Sequence, residues 1–175
     1  MMEALRPTYD VVIPTIGRPN LVRLLVALDA DTRRTQVAGH DAGPCVVIVV
    51  DDRPAADGPL PIPLQTSFPI VVVESGGRGP AAARNRGWVR TTSEWVAFLD
   101  DDVVPVDAWC AALTRDLAGA PPVVGAVQGR LHVPLPSHRR PTDRERNVAG
   151  LADAAWITAD MAVRRDALAD VGGFD

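Results

Sequence analysis

The sequence is poor in cysteine and histidine. Only Cys45 and Cys110 occur among its 175 residues, and no C-x-x-C or Cys/His spacing is present, so no zinc site is expected. We expect both cysteines to be buried thiols in a reducing cytoplasm. His40, His132 and His138 are scattered along the chain and are expected in loops or at the surface. The sequence therefore offers no support for a nucleophile-His-acid triad.

The charge balance and the apolar runs limit the possible partners. With a net charge of −4, the chain lacks a basic surface for a phosphate backbone, so nucleic acid is not an expected partner. No apolar run approaches the roughly 20 residues of a membrane span, and residues 1–7 lack the features of a signal peptide. We expect a cytoplasmic protein without a transmembrane segment, in which any membrane contact is peripheral. No Gly-Lys-Ser/Thr occurs, which excludes a P-loop.

The composition that remains is that of one globular domain. A chain of 175 residues with 47% hydrophobic and 23% charged residues can bury a substantial core. Its 16 prolines among 175 residues are a larger share than the average proline usage of roughly 5%, and they indicate long ordered loops. We therefore predict a single domain over residues 1–175.

Hydrophobic periodicity predicts alternating strands and helices. Strands are predicted at Tyr9–Ile13, Cys45–Val50, Ile70–Val73, Trp95–Leu99, within Val123–Val133, and at Ala159–Val163. Helices are predicted at Leu21–Asp29 with Asn20 as N-cap, Pro80–Arg90, Val106–Leu117, and Asp166–Val171 closed by Gly172-Gly173. The remaining segments are predicted as a loop with a short helical turn at Arg53–Pro69 and a mobile loop over a site at Pro134–Gly150.

This order predicts an α/β fold, a mainly parallel sheet with helices on both faces. In such sheets ligands bind at the carboxyl ends of the strands. Thr15, Asp52, Gly79 and the triplet Asp100-Asp101-Asp102 all follow predicted strands. One crevice could therefore gather them.

The aspartate triplet is the most informative of these features. Two like charges roughly 5 Å apart repel by about 3 kcal/mol at an effective dielectric constant near 20, so Asp100, Asp101 and Asp102 require a compensating cation. Oxygen ligands suit Mg²⁺ or Mn²⁺, and Mg²⁺ usually binds one or two carboxylates plus substrate phosphates. Capping of the next helix is the structural alternative, but one cap needs one Asp. The triplet thus indicates a metal-assisted nucleotide or diphosphate site.

A second motif keeps another class open. Gly77-Arg78-Gly79-Pro80-Ala81-Ala82 is a G-x-G-x-x-A that follows a strand and opens a helix, with an acid about 20 residues further on at Asp100. This pattern is also that of an NAD(P)-binding Rossmann oxidoreductase. Three acids at the strand end would, however, repel a dinucleotide diphosphate unless a metal intervened.

Transfer of a sugar from a nucleoside-diphosphate donor uses more of the features. A metal ion bridging the two phosphates would neutralise charge on the leaving group. Asp52 could accept a hydrogen bond from a base imide or ribose hydroxyl, and Arg84 or Arg18 could approach the base or diphosphate. The structural alternatives are a turn former for Asp52, solvated helix charges for Arg84 and Arg86, and a helix-to-loop contact for Asn85.

Five blocks of the sequence resemble, in order, the signature of family 2 glycosyltransferases with the GT-A fold. The blocks are Val11-Val12-Ile13-Pro14-Thr15, Val47-Ile48-Val49-Val50-Asp51-Asp52, Gly77-Arg78-Gly79-Pro80-Ala81-Ala82-Ala83-Arg84-Asn85-Arg86-Gly87, Phe98-Leu99-Asp100-Asp101-Asp102, and Ala159-Asp160-Met161-Ala162-Val163-Arg164-Arg165 with Val171-Gly172-Gly173-Phe174-Asp175. They span nearly the whole chain.

The resemblance implies roles for the matching residues. Asp100 and Asp102 would form the D-x-D motif, with Asp102 as direct ligand of Mn²⁺ or Mg²⁺ and Asp100 or Asp101 contacting the ribose or a metal-bound water. Asp52 would meet the base. Pro14, Thr15 and Arg84 would line the nucleotide-sugar pocket. From their own positions in the sequence, Arg18 and Gly79 are predicted to bind the nucleotide sugar with them. The family is inverting, with a carboxylate that deprotonates the acceptor hydroxyl.

Two departures from the family pattern limit the carry-over. Asp160 stands where the family often has Asn, so acceptor contacts are not transferred. The acidic pair that usually supplies the general base has no match up to Asp175, which leaves the catalytic base unknown and expected beyond that residue. Asp160 and Asp175 match it only in being acidic.

Together these features predict a truncated donor domain that binds a nucleoside-diphosphate sugar and turns over poorly alone. The acceptor hydroxyl, on a saccharide, lipid or small molecule, stays open. A non-catalytic nucleotide-sugar-binding module is the further alternative.

Overall fold

The fold is seen in a computed structural model that describes residues 6–39, 41–55 and 57–175. Its strands are β1 (Tyr9–Thr15), β2 (Val47–Asp51), β3 (Ile70–Glu74), β4 (Trp95–Leu99), β5 (Ala126–Gln128) and β6 (Asp160–Arg164). Its helices are α1 (Asn20–Val37), α2 (Pro80–Trp88), α3 (Trp109–Gly119), α4 (Asp143–Ala149) and α5 (Arg165–Val171), with a 3-10 turn at Gly150–Asp153.

The strands form one sheet in the order β3-β2-β1-β4-β6-β5. The four strands from β3 to β4 are parallel, whereas β6 runs antiparallel to both β4 and β5. Because β1, β2, β3 and β4 are parallel, their carboxyl ends lie at one edge of the sheet. The predicted α/β class with a mainly parallel sheet is confirmed.

Helices cover both faces of the sheet because successive strand residues point to opposite sides. Val11 and Ile13 of β1 pack in one cluster with α1 and α3, and Val12 packs in the other with residues of α2 and α5. β1, β2 and β4 are buried along almost their whole length, as their continuous aliphatic runs predict.

Helix α1 differs from its prediction at both ends. It begins at Asn20 itself after Pro19, with no side-chain cap, so Asn20 as N-cap was wrong. It continues to Val37 rather than Asp29. Asp31 and Thr32 are buried on its inner face, which interrupts the apolar periodicity at the point where the prediction stopped.

Helix α3 begins at Trp109, three residues later than predicted from Val106. Ala108 precedes it in a left-handed conformation (φ 66°) and supplies no side-chain cap. The buried Asp31 of α1 takes that role, accepting hydrogen bonds from Ala108 N at 2.7 Å and Cys110 N at 2.8 Å. A cap that comes from 77 residues away leaves no local signal.

The segment Pro134–Gly150, predicted as a loop, contains helix α4. Thr142 and Glu145 form a reciprocal capping box at its start, with Glu145 N donating to Thr142 Oγ1 and Thr142 N to a Glu145 carboxylate oxygen. This T-x-x-E signal was present in the sequence and was missed because the segment has no apolar stripe.

Three smaller expectations have different outcomes. Cys110 is buried, and burial raises the pKa of its thiol to about 11, but Cys45 is exposed ahead of β2, so its predicted burial was wrong. His132 and His138 lie in exposed irregular segments, as expected, whereas His40 is outside the described residues. The described part of Arg53–Pro69 contains bends but no helical turn, which corrects that prediction.

Among the described residues, no helix is both long and apolar enough to traverse a membrane.

Candidate active site

The carboxyl edge of the parallel strands opens into a cavity of about 560 Å³. The eight residues predicted to bind a nucleotide sugar all line it: Pro14, Thr15, Arg18, Asp52, Gly79, Arg84, Asp100 and Asp101. They come from four separate stretches of sequence and meet because their strands are parallel neighbours. The structure thus brings these residues together, while the role of each one remains a prediction.

Within the triplet, Asp101 points inward and is buried. Its Oδ2 accepts a hydrogen bond from the hydroxyl of Thr15 at 2.6 Å, and its Oδ1 accepts one from Arg18 at 3.1 Å. Thr15 Oγ1 in turn accepts from Gly17 N at 3.0 Å. Asp101 therefore ties the end of β4 to the turn after β1, with both oxygens engaged.

Two arginines lie against the triplet. Arg84 Nη2 is 2.7 Å from Asp100 Oδ1, and Arg18 Nη1 is 3.2 Å from Asp102 Oδ2 as well as bonded to Asp101. The compensating charge that the sequence requires is thus partly supplied by guanidinium groups. One negative charge remains in excess among the five side chains.

Asp100 and Asp102 keep oxygens that are available to a ligand. Asp100 Oδ2 and Asp102 Oδ1 accept no hydrogen bond from the described residues, and about half of the Asp102 side chain is exposed. Within the described ranges, no group of three or more His, Cys, Asp or Glu side chains has a geometry that could hold a metal ion. Two carboxylates with free oxygens nevertheless fit a hard divalent ion that takes its other ligands from phosphate and water.

Asp52 holds the glycine-rich turn that precedes α2. Its Oδ1 accepts hydrogen bonds from Ser75 Oγ at 2.6 Å and Arg78 N at 3.0 Å, and its Oδ2 accepts from Gly79 N at 2.9 Å. A Rossmann site would offer the amides at this helix start to a pyrophosphate. Here a buried carboxylate occupies them, which weighs against the NAD(P) alternative.

Arg84 reaches the cavity because α2 lies close on the sheet. A Cβ on Gly87 would come within 2.4 Å of Val12 Cγ1 and 3.0 Å of Val50 Cγ2, so only glycine allows this approach. The Arg84 side chain is nine-tenths buried, and its Nε has no hydrogen-bond partner among the described residues. Because Arg84 lines the cavity, a ligand bound there can supply an acceptor to its guanidinium group.

The cavity has lining residues that the sequence pattern did not indicate. Ile16, which is 56% exposed in the turn after β1, and Pro54 both contribute to the wall. Neither carries a reactive group, so no chemical signal in the sequence could have singled them out.

The two acids considered as substitutes for the general base are not in this cavity. Asp160 lines a different cavity of about 370 Å³ beside α3, where its Oδ1 accepts a hydrogen bond from Trp109 Nε1 at 3.1 Å. Burial raises the pKa of this carboxyl group. Asp175 is exposed at the end of the described chain.

Comparison with known proteins agrees with this architecture. The pre-mycofactocin glycosyltransferase of Mycobacterium tuberculosis (strain CDC 1551 / Oshkosh) is 36% identical over 109 residues, which cover 56% of this chain and 23% of that protein. The same match is found in strain ATCC 25618 / H37Rv. The matched part of the chain thus spans about a quarter of the length of these curated relatives.

Solved structures share the fold at lower identity. The mannosyltransferase PcManGT from Pyrobaculum calidifontis, in complex with GDP-Man and Mn²⁺, aligns with 97% of this chain and 48% of its own, with a TM-score of 0.61 and 24% identity. Mannosyl-3-phosphoglycerate synthase from Rubrobacter xylanophilus aligns with 93% of this chain and 54% of its own, with a TM-score of 0.57 and 15% identity.

An α/β domain of the GT-A type, with its crevice at the carboxyl edge of a parallel sheet, is the class that these features define. The family model for glycosyl transferase family 2 matches residues 10–172. The chain belongs to this family, as its five sequence blocks suggest.

Proposed function

We propose that this chain is the donor-binding domain of an enzyme that transfers a sugar from a nucleoside-diphosphate sugar to an acceptor hydroxyl with inversion. One observation carries the proposal: Asp100 lines the crevice together with Arg18 and Arg84. Asp102 lies beside these lining residues in contact with Arg18, and both acids keep a carboxylate oxygen that accepts no hydrogen bond from the described residues. Carboxylates for a metal and guanidinium groups for a diphosphate are thus presented together. The match to a glycosyltransferase family supports the reaction class.

The nucleotide would occupy the cavity between the turn after β1 and helix α2. The Arg84 side chain lines this cavity, and its guanidinium group provides donors for a base carbonyl or phosphate oxygen. Asp52 faces the same cavity, and its Oδ2 accepts one hydrogen bond and has capacity for another, as a base imide or ribose hydroxyl requires. Pro14 and Ile16 add apolar wall beside them.

Charge favours a divalent cation with the donor. The five side chains around the triplet carry one excess negative charge, to which a donor diphosphate adds more. Mn²⁺ or Mg²⁺ held by Asp102 and Asp100 would offset the charge that the donor adds, and when bound it would stabilise the charge on the leaving diphosphate. The complex of PcManGT with GDP-Man and Mn²⁺ supports this assignment by analogy of fold.

The acceptor side is proposed more coarsely. Inversion requires a group that removes the proton from the attacking hydroxyl, and we assign it to neither Asp160 nor Asp175, because neither lines the crevice. A saccharide, a lipid or a small molecule can each supply the hydroxyl, and we propose that transfer takes place in the cytoplasm, with any membrane contact peripheral.

Calorimetric titration with UDP, GDP and dTDP, with and without Mn²⁺, tests the donor site. We expect one of these nucleotides to bind in a Mn²⁺-dependent manner. Asp102→Ala should weaken that binding about tenfold or more and remove its dependence on Mn²⁺. The variant lacks a ligand of the metal, and a loss of about 1.4 kcal/mol of binding free energy lowers the affinity tenfold.

Asp170→Ala is the matched control, since Asp170 is an exposed acid on α5 and does not line the crevice. Its binding should equal that of the unaltered protein. A nucleotide affinity that changes neither on removal of Mn²⁺ nor in Asp102→Ala would contradict the metal site. Tight binding of NAD⁺ in the absence of metal would favour the oxidoreductase alternative.

A further inference from the structure

The side chain of Asn85 on α2 is hydrogen-bonded to the turn that follows α5. Its Nδ2 donates to the carbonyl oxygen of Phe174 at 2.7 Å, and its Oδ1 accepts from Phe174 N at 2.9 Å. Oδ1 also accepts from Trp88 Nε1 at 3.1 Å, one turn further along the same helix. The amide is thus bonded at both ends, and it holds both backbone groups of one residue 89 positions away.

The backbone of the turn is shaped for this contact. Gly173 has φ +93°, and a Cβ there would come within 2.3 Å of Asn85 Oδ1 and 2.9 Å of Trp88 Nε1. Glycine is therefore needed both for the conformation and for the close approach. The helix-to-loop contact considered for Asn85 from the sequence is confirmed, and its partner is the Gly-Gly-Phe-Asp turn.

These hydrogen bonds position the Phe174 ring next to Arg84, which lines the candidate nucleotide site. The ring packs edge-on against Phe98 of β4, with centroids 5.0 Å apart and planes at 83°. The guanidinium carbon of Arg84 lies 5.9 Å from the centroid of the Phe174 ring. Arg84 in turn contacts Asp100 through Nη2. A continuous chain of contacts therefore runs from Asn85 through Phe174 to Arg84 and Asp100.

Arg84 needs such a support. Its guanidinium group is nearly buried, and among the described residues it has one carboxylate partner, on Nη2, and no hydrogen-bond partner on Nε. A long side chain held at a single point retains rotamer freedom that a ligand must remove on binding. The aromatic ring restricts that freedom and adds a cation–π attraction.

We propose that Asn85 is a positioning residue for nucleotide recognition: by fixing Phe174 it orients the Arg84 guanidinium toward the bound nucleotide. This inference rests on the proposed function, because it assumes that Arg84 contacts the nucleotide. Asn85 itself does not line the crevice and acts through the other two residues.

The test measures dissociation constants of UDP, GDP or dTDP, whichever the unaltered protein binds most tightly, in the presence of Mn²⁺. Asn85→Ala should weaken binding about two- to tenfold, the range expected for loss of a cation–π support in a partly buried site. Phe174→Leu should weaken it similarly, although it leaves the backbone hydrogen bonds to Asn85 in place. Phe174→Tyr keeps the aromatic face and should bind like the unaltered protein.

A thermodynamic cycle separates positioning from simple destabilisation. In an Arg84→Gln background, Asn85→Ala should cause no further loss of affinity, because the residue through which it acts is gone. Asn147→Ala, an exposed asparagine on α4, is the control and should leave affinity unchanged.

The outcomes separate this inference from the proposed function. If Asn85→Ala does not fold, Phe174→Leu and Phe174→Tyr test the same route. Equal affinity in the unaltered protein and in Phe174→Leu, or a full additive loss from Asn85→Ala in the Arg84→Gln background, would overturn the positioning role alone. Failure of the unaltered protein to bind any of these nucleotides would overturn the proposed function and the positioning role with it.

Discussion

Asp160 is a half-buried carboxyl group that the candidate active site does not use. It begins β6 beside Leu99, faces α3, and accepts one hydrogen bond, from Trp109. Gly129 passes directly over it, since a Cβ there would lie 1.8 Å from Asp160 Oδ2. Burial raises the pKa of the carboxyl group, and the Trp109 hydrogen bond offsets this only in part. The charged form therefore destabilises the fold.

Asp160→Asn should consequently change stability in a pH-dependent way. A carboxyl group whose folded pKa is raised binds more protons in the folded state, so the unaltered protein loses stability as pH rises from the unfolded pKa through the folded one. Asparagine cannot ionise and keeps an oxygen for Trp109 Nε1. We expect the free energy of unfolding of Asp160→Asn, relative to the unaltered protein, to increase as pH rises above about 4, the ordinary pKa of an unfolded aspartate.

Urea denaturation at several pH values measures this difference. Asp166→Asn, an exposed acid on α5, serves as control and should show no comparable trend. A difference that stays constant across the pH range, or that falls as pH rises, would show that burial of Asp160 does not penalise its charge.

The aspartate triplet shows how far residue-level prediction extends. Three carboxylates after a buried strand indicate a site, and the structure places Asp100 and Asp101 in the wall of a crevice. The inward role of Asp101 and the guanidinium partners Arg18 and Arg84 were not predictable from spacing, because those contacts join residues 16 to 84 positions apart.

At the scale of elements, α2 is the helix that presents the candidate site. It packs across β1 and β2, and Gly87 allows contact with Val12 and Val50 at distances that no other residue permits. Arg84 and Asn85 lie within one turn of this contact. The position of the helix on the sheet therefore sets the positions of both side chains.

Gly87→Ala should destabilise the protein despite the better helix propensity of alanine. Overpacking against two valine side chains costs about 1–3 kcal/mol, and the propensity gain offsets at most about 1 kcal/mol of that. We expect a lower urea midpoint with an unchanged m-value.

Gly119→Ala is the matched comparison, because Gly119 also lies in a helix and a Cβ there would meet nothing within 4 Å. It should be neutral or slightly stabilising. If both variants had the same midpoint, the close packing of α2 on the sheet would not limit the choice of residue at position 87.

Elements were predictable where their signals are local. The aliphatic runs of β2 and β4 and the Gly172 end of α5, with φ +79°, follow directly from residue type. The start of α3 was not predictable, since its cap is Asp31 of another helix. The position of α4 was predictable from the capping box of Thr142 and Glu145, but only if this signal is given more weight than the polar composition of the segment.

At the scale of the whole molecule, the parallel strand order places β1, β2 and β4 side by side, with their carboxyl ends at a single crevice. A ligand bound there contacts elements from both halves of the chain, from Thr15 to Asp101. Unfolding would abolish all of these contacts together. Binding should therefore be visible as a gain in global stability.

We expect UDP or GDP at about a hundred times its dissociation constant, with Mn²⁺, to add about 2.7 kcal/mol of stability and to raise the unfolding temperature by about 5–10 °C. Differential scanning fluorimetry measures the shift. Removing Mn²⁺ with EDTA should make this temperature shift much smaller. A shift that persists unchanged in EDTA would show that the nucleotide binds without the metal.

The order of strands and helices, the two-sided burial of the sheet and the acids at the strand ends were already contained in the sequence, because hydrophobic period and residue chemistry act locally. Three features were decided only by the tertiary structure. Asp52, Arg84 and Asp100 line one crevice, the Asp101 side chain points inward, and Asn85 forms hydrogen bonds with the backbone of Phe174. These contacts join distant parts of the chain, and their geometry is set by the packing of α2 against parallel strands.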